Sequence, residues 1–195
     1  MSGRGSNFTA MVRDSRKAGA NFSICLVISD RQDAPGLKKA IRFGIPAYPI
    51  NPKQFPSKAA YENEICTHLE RENIELVCLA GYMRLIGPEL LQKFPGRIMN
   101  IHPALLPSFP GLDAQKQALC YGVKVSGCTV HFIDAGTDSG PVIAQKAVLV
   151  RADESEETLS QRILRQEHRL YPHVIRLYFA GRLQIRGRTV IIRDK

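Results

Sequence analysis

Hydrophobic residues follow two alternating patterns over the first half of the chain, residues 1–100. Short, nearly continuous apolar runs predict parallel strands that are covered on both faces. They lie at residues 22–29, 47–50, 76–80 and 97–101. Apolar residues at helical spacing separate these runs, beginning at Phe8, Leu37 and Tyr61. This alternation predicts an α/β fold with a mostly parallel, twisted sheet and helices on both faces.

The second half, residues 101–195, changes to longer β-type runs followed by one long helix. Residues 125–133 and 142–150 are typical of strands on either side of a polar, glycine-rich loop. Ser155 is the expected N-cap of the long helix, and Pro172 is expected to kink or split it. A terminal hairpin is predicted around Arg186-Gly187-Arg188.

No internal repeat, low-complexity segment or linker separates the two halves. A chain of 195 residues is long enough to bury one sizeable core. We therefore predict a single domain over residues 1–195, built from the halves 1–100 and 101–195.

Composition excludes several classes of protein. The chain is 44% hydrophobic and 23% charged, as in ordinary globular proteins. No apolar run approaches the length of a membrane span, and the N-terminus has no stretch of signal-peptide type, so we expect a cytoplasmic protein. The five cysteines form no C-x-x-C pair, which favours buried thiols over disulfides or a structural metal site.

The formal net charge of +9 permits three interpretations. Binding of nucleic acid is disfavoured because lysines and arginines are scattered, with only mild concentrations at residues 162–169 and 182–195. Attraction of small anionic substrates explains the charge at least as well. A surface that is basic without any binding role is the third interpretation.

Asn100 and His102 are the first candidates for chemistry. They share the parity of a strand pattern at the end of the run 97–101, so both side chains should leave on one side. An amide that can donate to a developing oxyanion, beside an imidazole that can move a proton, suits acyl-type transfer. A structural turn residue before Pro103 is the alternative for His102.

Two glycine-containing loops are weaker candidates. Gly3 and Gly5 precede a predicted helix that Ser6 or Asn7 can cap, and free amides at such a helix start attract phosphate. A flexible N-terminal tail is the alternative. The loop over residues 134–141 carries two aspartates that could face a pocket, or it is an ordinary solvated turn.

Four motifs occur together in one order and spacing: Gly3-Arg4-Gly5-Ser6-Asn7, Leu79-Ala80-Gly81-Tyr82-Met83-Arg84, Asn100-Ile101-His102-Pro103 and Asp138-Ser139-Gly140-Pro141. In these motifs the chain resembles the phosphoribosylglycinamide formyltransferase family, folate-dependent enzymes of purine synthesis. The resemblance extends over nearly the whole chain. It implies a Rossmann-like fold with a nucleotide-binding half at 1–100 and a folate-binding, catalytic half at 101–195.

The resemblance implies a transferase of one-carbon metabolism that moves the formyl group of 10-formyltetrahydrofolate to the amine of glycinamide ribonucleotide. Asn100 would donate to the oxyanion, and His102 would be the general acid and base. Asp138 would orient His102 and stabilise its protonated form, or hold the water that relays the proton. Both substrates are small molecules. No metal, nucleic acid or membrane partner is implied, and a homodimer is compatible with the family.

The same resemblance assigns residues that bind the two substrates. Gly5, Ser6 and Asn7 would bind the phosphate of the ribonucleotide, and Glu167 its ribose or glycinamide end, unless Glu167 is a solvated helix carboxylate. The folate would contact Lys58, Met83, Arg84, Leu85, Ile86, Asn100, Asp134, Thr137 and Asp138. A solvated surface role for Lys58 is the alternative.

The sequence departs from the family in two places. The family's first strand precedes the glycine loop in the middle of the sheet, and this sequence lacks it, so we expect a truncated chain with reduced activity. Asp113 stands where the family commonly has histidine. We expect that position to be a tolerant one.

Two rival functions are also compatible with the sequence. Other formyl-handling enzymes, such as methionyl-tRNA formyltransferase or formyltetrahydrofolate hydrolase, share the residue types at Asn100, His102 and Asp138 but usually carry an extra domain. An inert nucleotide-binding or RNA-binding protein is the rival from a different class, suggested by the positive charge and the missing strand. His131 is expected to be a core histidine or one that supports the catalytic residues, and not a catalyst.

Overall fold

The computed structural model describes residues 5–194. It divides into two compact units, of which the first ends at Met99 and the second begins at Asn100. The expectation of a missing strand ahead of the glycine loop, and Gly3 of that loop, fall outside the described residues. The single domain over residues 1–195 stays a prediction.

The first unit alternates helices with short strands. Its elements in chain order are α1 Ser6–Ser15, β1 Val27–Ser29, α2 Pro35–Arg42, β2 Ala47–Pro49, a 3-10 turn at Pro52–Gln54, α3 Lys58–Arg71, β3 Val77–Leu79 and α4 Pro88–Lys93. The strand β4, Ile98–His102, begins in this unit and ends in the second.

The two longer helices of the first unit begin for different reasons. Gly5 is the N-cap of α1 with a left-handed φ of 66°, so the predicted cap at Ser6 or Asn7 is wrong: both residues lie inside the helix. The N-cap of α3 is Ser57, as predicted, because its Oγ accepts the Ala60 N–H at 3.1 Å.

The strand β1 is shorter than the predicted run 22–29. Within residues 5–194 the described ladder of this strand covers Val27–Ser29, in parallel register with Ala47–Pro49. The expected burial of Cys25 is also wrong, since this residue is exposed. Apolar character marks a β-type segment, but the number of residues in a strand depends on how many find a hydrogen-bonding neighbour.

The second unit contains α5 Ala114–Tyr121, β5 Val125–Phe132, β6 Val142–Leu149, α6 Glu156–Phe179, β7 Leu183–Arg186 and β8 Thr189–Ile192. The helix α5 was not among the sequence predictions. Ser155 caps α6 by accepting the Thr158 N–H at 3.2 Å. Pro172 is buried within α6 and does not split it, because tertiary packing of α6 on β5 and β6 outweighs the loss of one N–H donor.

The sheet order supports the predicted fold class. Strands β1 and β2 form a two-stranded parallel sheet, and a six-stranded sheet has the order β3-β4-β5-β6-β8-β7. The pairs β5–β6 and β7–β8 are antiparallel, and β6 pairs with β8 in parallel. The α/β fold with a mostly parallel central sheet and surrounding helices is confirmed.

Packing in the second unit joins its sheet to its long helix. Cys128 and Val148 from the strands pack against Leu159 and Ile163 of α6 in a buried apolar cluster. Burial and the nearby carboxylate of Glu167 raise the pKa of the Cys128 thiol to about 12. No helix within residues 5–194 is both long and apolar enough to cross a membrane.

Glu62 is a fully buried carboxyl group in the first unit. Its Oε1 accepts the Gly87 N–H at 2.7 Å, immediately before α4, and the exposed ammonium of Lys58 lies 3.8 Å away. A Cβ at Gly87 would collide with this carboxyl group, which explains why glycine stands there. Burial raises the pKa of Glu62, and the Gly87 N–H and Lys58 offset only part of that shift.

We expect Glu62→Gln to remove a pH-dependent part of the stability. Because the pKa of Glu62 is raised in the folded state, its contribution is fully present below the unfolded pKa and is lost as the pH rises through the folded pKa. In urea unfolding, the variant should therefore become more stable relative to the wild type as the pH rises above about 4, by on the order of 1 kcal/mol per unit of pKa difference.

The matched control is Glu64→Gln, which changes a partly exposed carboxylate on the same helix that lies 3.2 Å from Nε2 of His68. If the free energy of unfolding of this control rose by the same pH-dependent amount relative to the wild type, the effect could not be assigned to burial of Glu62.

Candidate functional site

The strand β4 places the two candidate residues side by side. Asn100 and His102 are two positions apart in β4, so their side chains leave the strand on the same face. His102 is buried with 4% of its surface exposed. Pro103 follows at once, where the strand ends, and the chain then turns toward the segment that contains Phe109 and Gly111.

The loop over residues 134–141 carries Asp138. This residue has a left-handed φ of 49°, a conformation that aspartate and asparagine adopt more readily than most residues. Asp134 organises the loop, since its Oδ1 accepts the Gly136 N–H at 3.0 Å and the Ser139 hydroxyl at 2.7 Å. Gly140 passes so close to the Phe132 carbonyl that no Cβ would fit.

His102 and Asp138 are in direct contact. Nδ1 of His102 lies 3.2 Å from Oδ2 of Asp138, and Nε2 of His102 lies 2.8 Å from the carbonyl oxygen of Phe109. A carbonyl oxygen only accepts, so Nε2 carries a hydrogen and Nδ1 is the position where a further proton binds. Gly111 completes the cluster, because its N–H donates to Oδ2 of Asp138 at 2.8 Å.

Electrostatics separates the two groups into a base and an anion. Burial lowers the pKa of His102, and the Phe109 carbonyl and the charge of Asp138 offset only part of that shift. For Asp138, burial acts to raise the pKa, but the contact with His131, the Gly111 N–H and the nearby imidazole of His102 outweigh burial, and the pKa is lowered. At neutral pH the cluster therefore holds a carboxylate beside an imidazole able to take up a proton.

Asn100 contacts the same carboxylate through its amide nitrogen. Nδ2 of Asn100 lies 3.3 Å from Nε2 of His131 and 3.5 Å from Oδ1 of Asp138. Nδ1 of His131 is 2.9 Å from the Phe132 carbonyl oxygen, so Nδ1 donates there and Nε2 accepts from Asn100. The contact with Asp138 is long, which leaves one amide hydrogen of Asn100 weakly bound.

His131 reaches this position through an irregularity in the strand. It is fully buried, and the β5–β6 register shifts between Val130 and His131. Bulges of this kind turn a side chain relative to its neighbours. Nε2 of His131 lies 3.6 Å from Oδ1 of Asp138, so the ring touches both Asn100 and Asp138.

The cluster can carry out acyl-type chemistry. It combines an amide N–H donor, a buried base and a carboxylate that would stabilise the protonated base. The structure brings together Asn100, His102 and Asp138, and the roles assigned to them stay predictions. Within the described residues, no group of three or more His, Cys, Asp or Glu side chains could hold a metal ion.

Sequence reasoning missed the backbone part of the cluster. Neither the Phe109 carbonyl nor the Gly111 N–H was predicted to contact the candidate residues, since backbone groups carry no residue signature. The Pro110-Gly111 pair does indicate a turn. Phe109, Gly111 and Asp113 all have positive φ, at 55°, 81° and 54°, and only glycine reveals such a requirement in a sequence.

The other predicted residues of the second unit differ in placement. Glu167 is buried on α6, with 6% of its surface exposed, and lies near Cys128. The alternative prediction, that Glu167 is a solvated helix carboxylate, is therefore wrong. Asp134 is partly buried within its own loop, and Thr137 is exposed.

In the first unit, the predicted phosphate-binding residues lie at the start of α1. Gly5 is the N-cap, and Ser6 and Asn7 are the first two helical residues. The backbone N–H groups of such a first turn have no partner within the helix, which is the property that anion binding at a helix start uses.

The predicted folate residues of the first unit lie mostly at the surface. Met83 and Leu85 are 66% and 57% exposed, Arg84 is exposed with its guanidinium 5.9 Å from the Tyr61 ring centroid, and Ile86 is partly buried. Lys58 lies near Glu62 as described above. Large exposed apolar side chains in a loop are typical of a binding surface.

Known proteins are similar to this chain over most of its length. The formyl transferase family model matches residues 1–175. Phosphoribosylglycinamide formyltransferase of Bacillus subtilis (strain 168) is 47% identical over 175 residues, which is 90% of this chain and 90% of that protein.

Two further relatives extend the comparison. The trifunctional purine biosynthetic protein adenosine-3 of Drosophila pseudoobscura pseudoobscura is 44% identical over 187 residues, covering 94% of this chain and 14% of that protein. The crystal structure of glycinamide ribonucleotide transformylase 1 from Symbiobacterium toebii matches with a TM-score of 0.98 and 50% identity, over 100% of this chain and 92% of that one.

The pKa of His102 can be measured by NMR titration of its ring protons. We expect a value below the ordinary 6.5, because burial dominates. Asp138→Asn should lower it further, since the substitution removes the negative charge that stabilises the imidazolium. The His102 signals are assigned by their loss in His102→Gln. A rise of the pKa in Asp138→Asn would contradict the described electrostatics.

Thr129 supports the segment that follows His102. Its buried hydroxyl donates to the Ala104 carbonyl at 2.7 Å and accepts the Leu106 N–H and the Gln145 amide, both at 3.0 Å. We expect Thr129→Val to lower the free energy of unfolding by about 2 kcal/mol or more, because buried backbone groups lose their partner.

Thr129→Ser is the control for this prediction. It keeps the hydroxyl and removes only a buried methyl group, at a cost of about 1 kcal/mol. Urea denaturation in which the serine variant is less stable than the valine variant would disprove the role of the hydroxyl.

Proposed function

This chain belongs to the formyl transferase family, and on that premise we propose that it transfers the formyl group of 10-formyltetrahydrofolate to the amine of glycinamide ribonucleotide, a step of de novo purine biosynthesis. One observation supports this most directly: the contact of His102 Nδ1 with Asp138 Oδ2 at 3.2 Å, beside the amide of Asn100.

The reaction begins with attack of the amine on the formyl carbon. Negative charge develops on the formyl oxygen as the tetrahedral intermediate forms. The second hydrogen of the Asn100 amide, held only by the long 3.5 Å contact with Asp138, moves to donate to this oxyanion. His131 keeps the amide nitrogen facing the site, because it accepts the other amide hydrogen.

The proton of the attacking amine is taken up by His102. A lowered pKa keeps the imidazole unprotonated before reaction, as a general base requires. The proton arrives at Nδ1, since Nε2 already donates to the Phe109 carbonyl. His102 then returns the proton to the nitrogen of the departing folate, so that it acts as base and then as acid.

Asp138 stabilises the protonated form of His102. Its lowered pKa means that the carboxylate stays charged when the imidazolium forms. The Gly111 N–H fixes Oδ2, so that the carboxylate keeps its position while the charge of its neighbour changes. The proposed reaction uses no metal ion.

The substrate contacts follow the family resemblance. Gly5, Ser6 and Asn7 bind the phosphate of the ribonucleotide at the first turn of α1. Glu167 binds its ribose or glycinamide end. The folate contacts Lys58, Met83, Arg84, Leu85, Ile86, Asn100, Asp134, Thr137 and Asp138.

Two broader features of the proposal concern the whole molecule. Association into a homodimer would be measured by sedimentation velocity, and a cytoplasmic location by cell fractionation. Both stay predictions.

Formyl transfer tests the roles of the site residues. With both substrates supplied, Asn100→Ala should reduce kcat by about 100-fold or more, because one oxyanion donor is lost. His102→Ala should reduce kcat by about 100-fold to 10,000-fold, because proton transfer is lost. Circular dichroism and thermal melting monitor the fold of each variant.

His173→Ala is the control, because His173 is an exposed histidine on α6. It should leave kcat unchanged. Full activity of a folded His102→Ala variant would refute the assigned base. Release of formate without any need for the ribonucleotide would instead favour the hydrolase, the rival that handles the same folate.

A further inference from the structure

The hairpin formed by β7 and β8 has one apolar and one basic face. Leu183 pairs with Ile192 and Ile185 with Val190, so these side chains share one face. The opposite face carries the pairs Gln184–Ile191 and Arg186–Thr189. The ladder continues by one step, because the Arg193 N–H donates to the Arg182 carbonyl at 2.9 Å, which adds both arginines to this face.

Two arginines of this face, Arg186 and Arg193, contact the same neutral side chain, that of Gln184. Nη2 of Arg193 lies 2.7 Å from Oε1 of Gln184, and Nη2 of Arg186 lies 3.4 Å from the same oxygen. Nε of Arg182 donates to the Arg193 carbonyl at 2.6 Å, which holds a third guanidinium at this end of the hairpin. Two positive charges thus share a single amide oxygen, and the Arg182 side chain is tied to the backbone of Arg193.

Carboxylates do not compensate this charge. Among residues 5–194, no carboxylate oxygen forms an ion pair with the guanidinium of Arg182, Arg186 or Arg193. The nearest acidic residue in sequence is Asp194, which has the opposite strand parity. Like charges held close together repel, and an anion placed between them relieves that repulsion.

We propose that this arginine surface, defined as Arg182, Gln184, Arg186 and Arg193, binds a small anion that carries a phosphate or pyrophosphate group. Guanidinium groups present parallel N–H donors that match the spacing of phosphate oxygens. The bound anion would accept hydrogens from Arg186 and Arg193 in place of Gln184 Oε1, which is a single, uncharged acceptor for both.

The shape of the surface favours a small ligand over a macromolecule. The guanidinium groups of Arg186 and Arg193 meet at one oxygen and do not follow an extended track, as binding of a nucleic-acid backbone would need. The apposed side chains of this face include no aromatic residue on which a base could stack. An acidic peptide also needs several separate cationic positions along its length.

The surface is separate from the residues of the proposed reaction. Arg188, in the hairpin turn, is not part of it: its guanidinium donates to the Ser139 carbonyl at 3.0 Å, beside Asp138. Any variant that tests the arginine surface therefore leaves Arg188 unchanged. Binding at this surface also does not depend on the chain being a formyltransferase.

The test follows the side-chain Nε–H signals of the arginines by NMR while pyrophosphate is added to the whole protein. Signals of Arg182, Arg186 and Arg193 should shift together with one Kd. Arg186→Gln with Arg193→Gln should weaken the shift of Arg182 at least about tenfold. Residue-specific signals distinguish this surface from the start of α1, where phosphate binding is also proposed.

The matched control is Arg42→Gln with Arg165→Gln, which removes two positive charges at exposed positions elsewhere. It should leave the Kd at Arg182 within about twofold of the wild-type value. Replacement of Arg186 and Arg193 by lysine should give an intermediate Kd, because charge remains but the fork of donors is lost.

Three results would overturn the proposal. The arginine signals could fail to shift, or the control pair could weaken binding as much as the test pair, which would reduce the effect to net charge. A glutamate hexapeptide that binds these arginines more tightly than pyrophosphate would assign the surface to an acidic protein segment instead.

Discussion

The partly buried carboxylate of Asp138 is the group on which the arrangement of the candidate site depends. It receives the Gly111 N–H and faces His102, His131 and the amide of Asn100. These neighbours come from two strands and one loop of the second unit. A buried donor that lacks an acceptor costs free energy. The position of this carboxylate therefore constrains where each of its donors lies.

Asp138, which is partly buried, and Glu62, which is fully buried, show how hydrogen-bond donors decide the effect of burial on the pKa of a carboxyl group. Burial favours the protonated form of both Asp138 and Glu62. Asp138 keeps a lowered pKa because the imidazoles and a backbone N–H together outweigh burial. For Glu62 the Gly87 N–H and Lys58, 3.8 Å away at the surface, are insufficient, and its pKa is raised. The first group suits charge stabilisation during a reaction, and the second a structural link to the start of α4.

Sequence patterns predicted the fold class and the main elements because hydrophobic periodicity records burial directly. They failed where structure depends on partners that are distant along the chain. The run 22–29 is almost continuously apolar, yet the ladder described within it covers Val27–Ser29. Pro172 predicted a broken helix, but packing kept α6 continuous. In the site, Asn100, His102 and Asp138 could be named from motifs, whereas the contacts of Phe109 and Gly111 arise from backbone conformation.

The left-handed backbone at Asp138 narrows the choice of residue at this position. Glycine, asparagine and aspartate tolerate that torsion, and of these only aspartate is an anion. A glutamate would supply the charge but would strain the main chain and reach too far. One steric and one ionic requirement thus leave a single amino acid that satisfies both, so any substitution here loses either the backbone conformation or the charge.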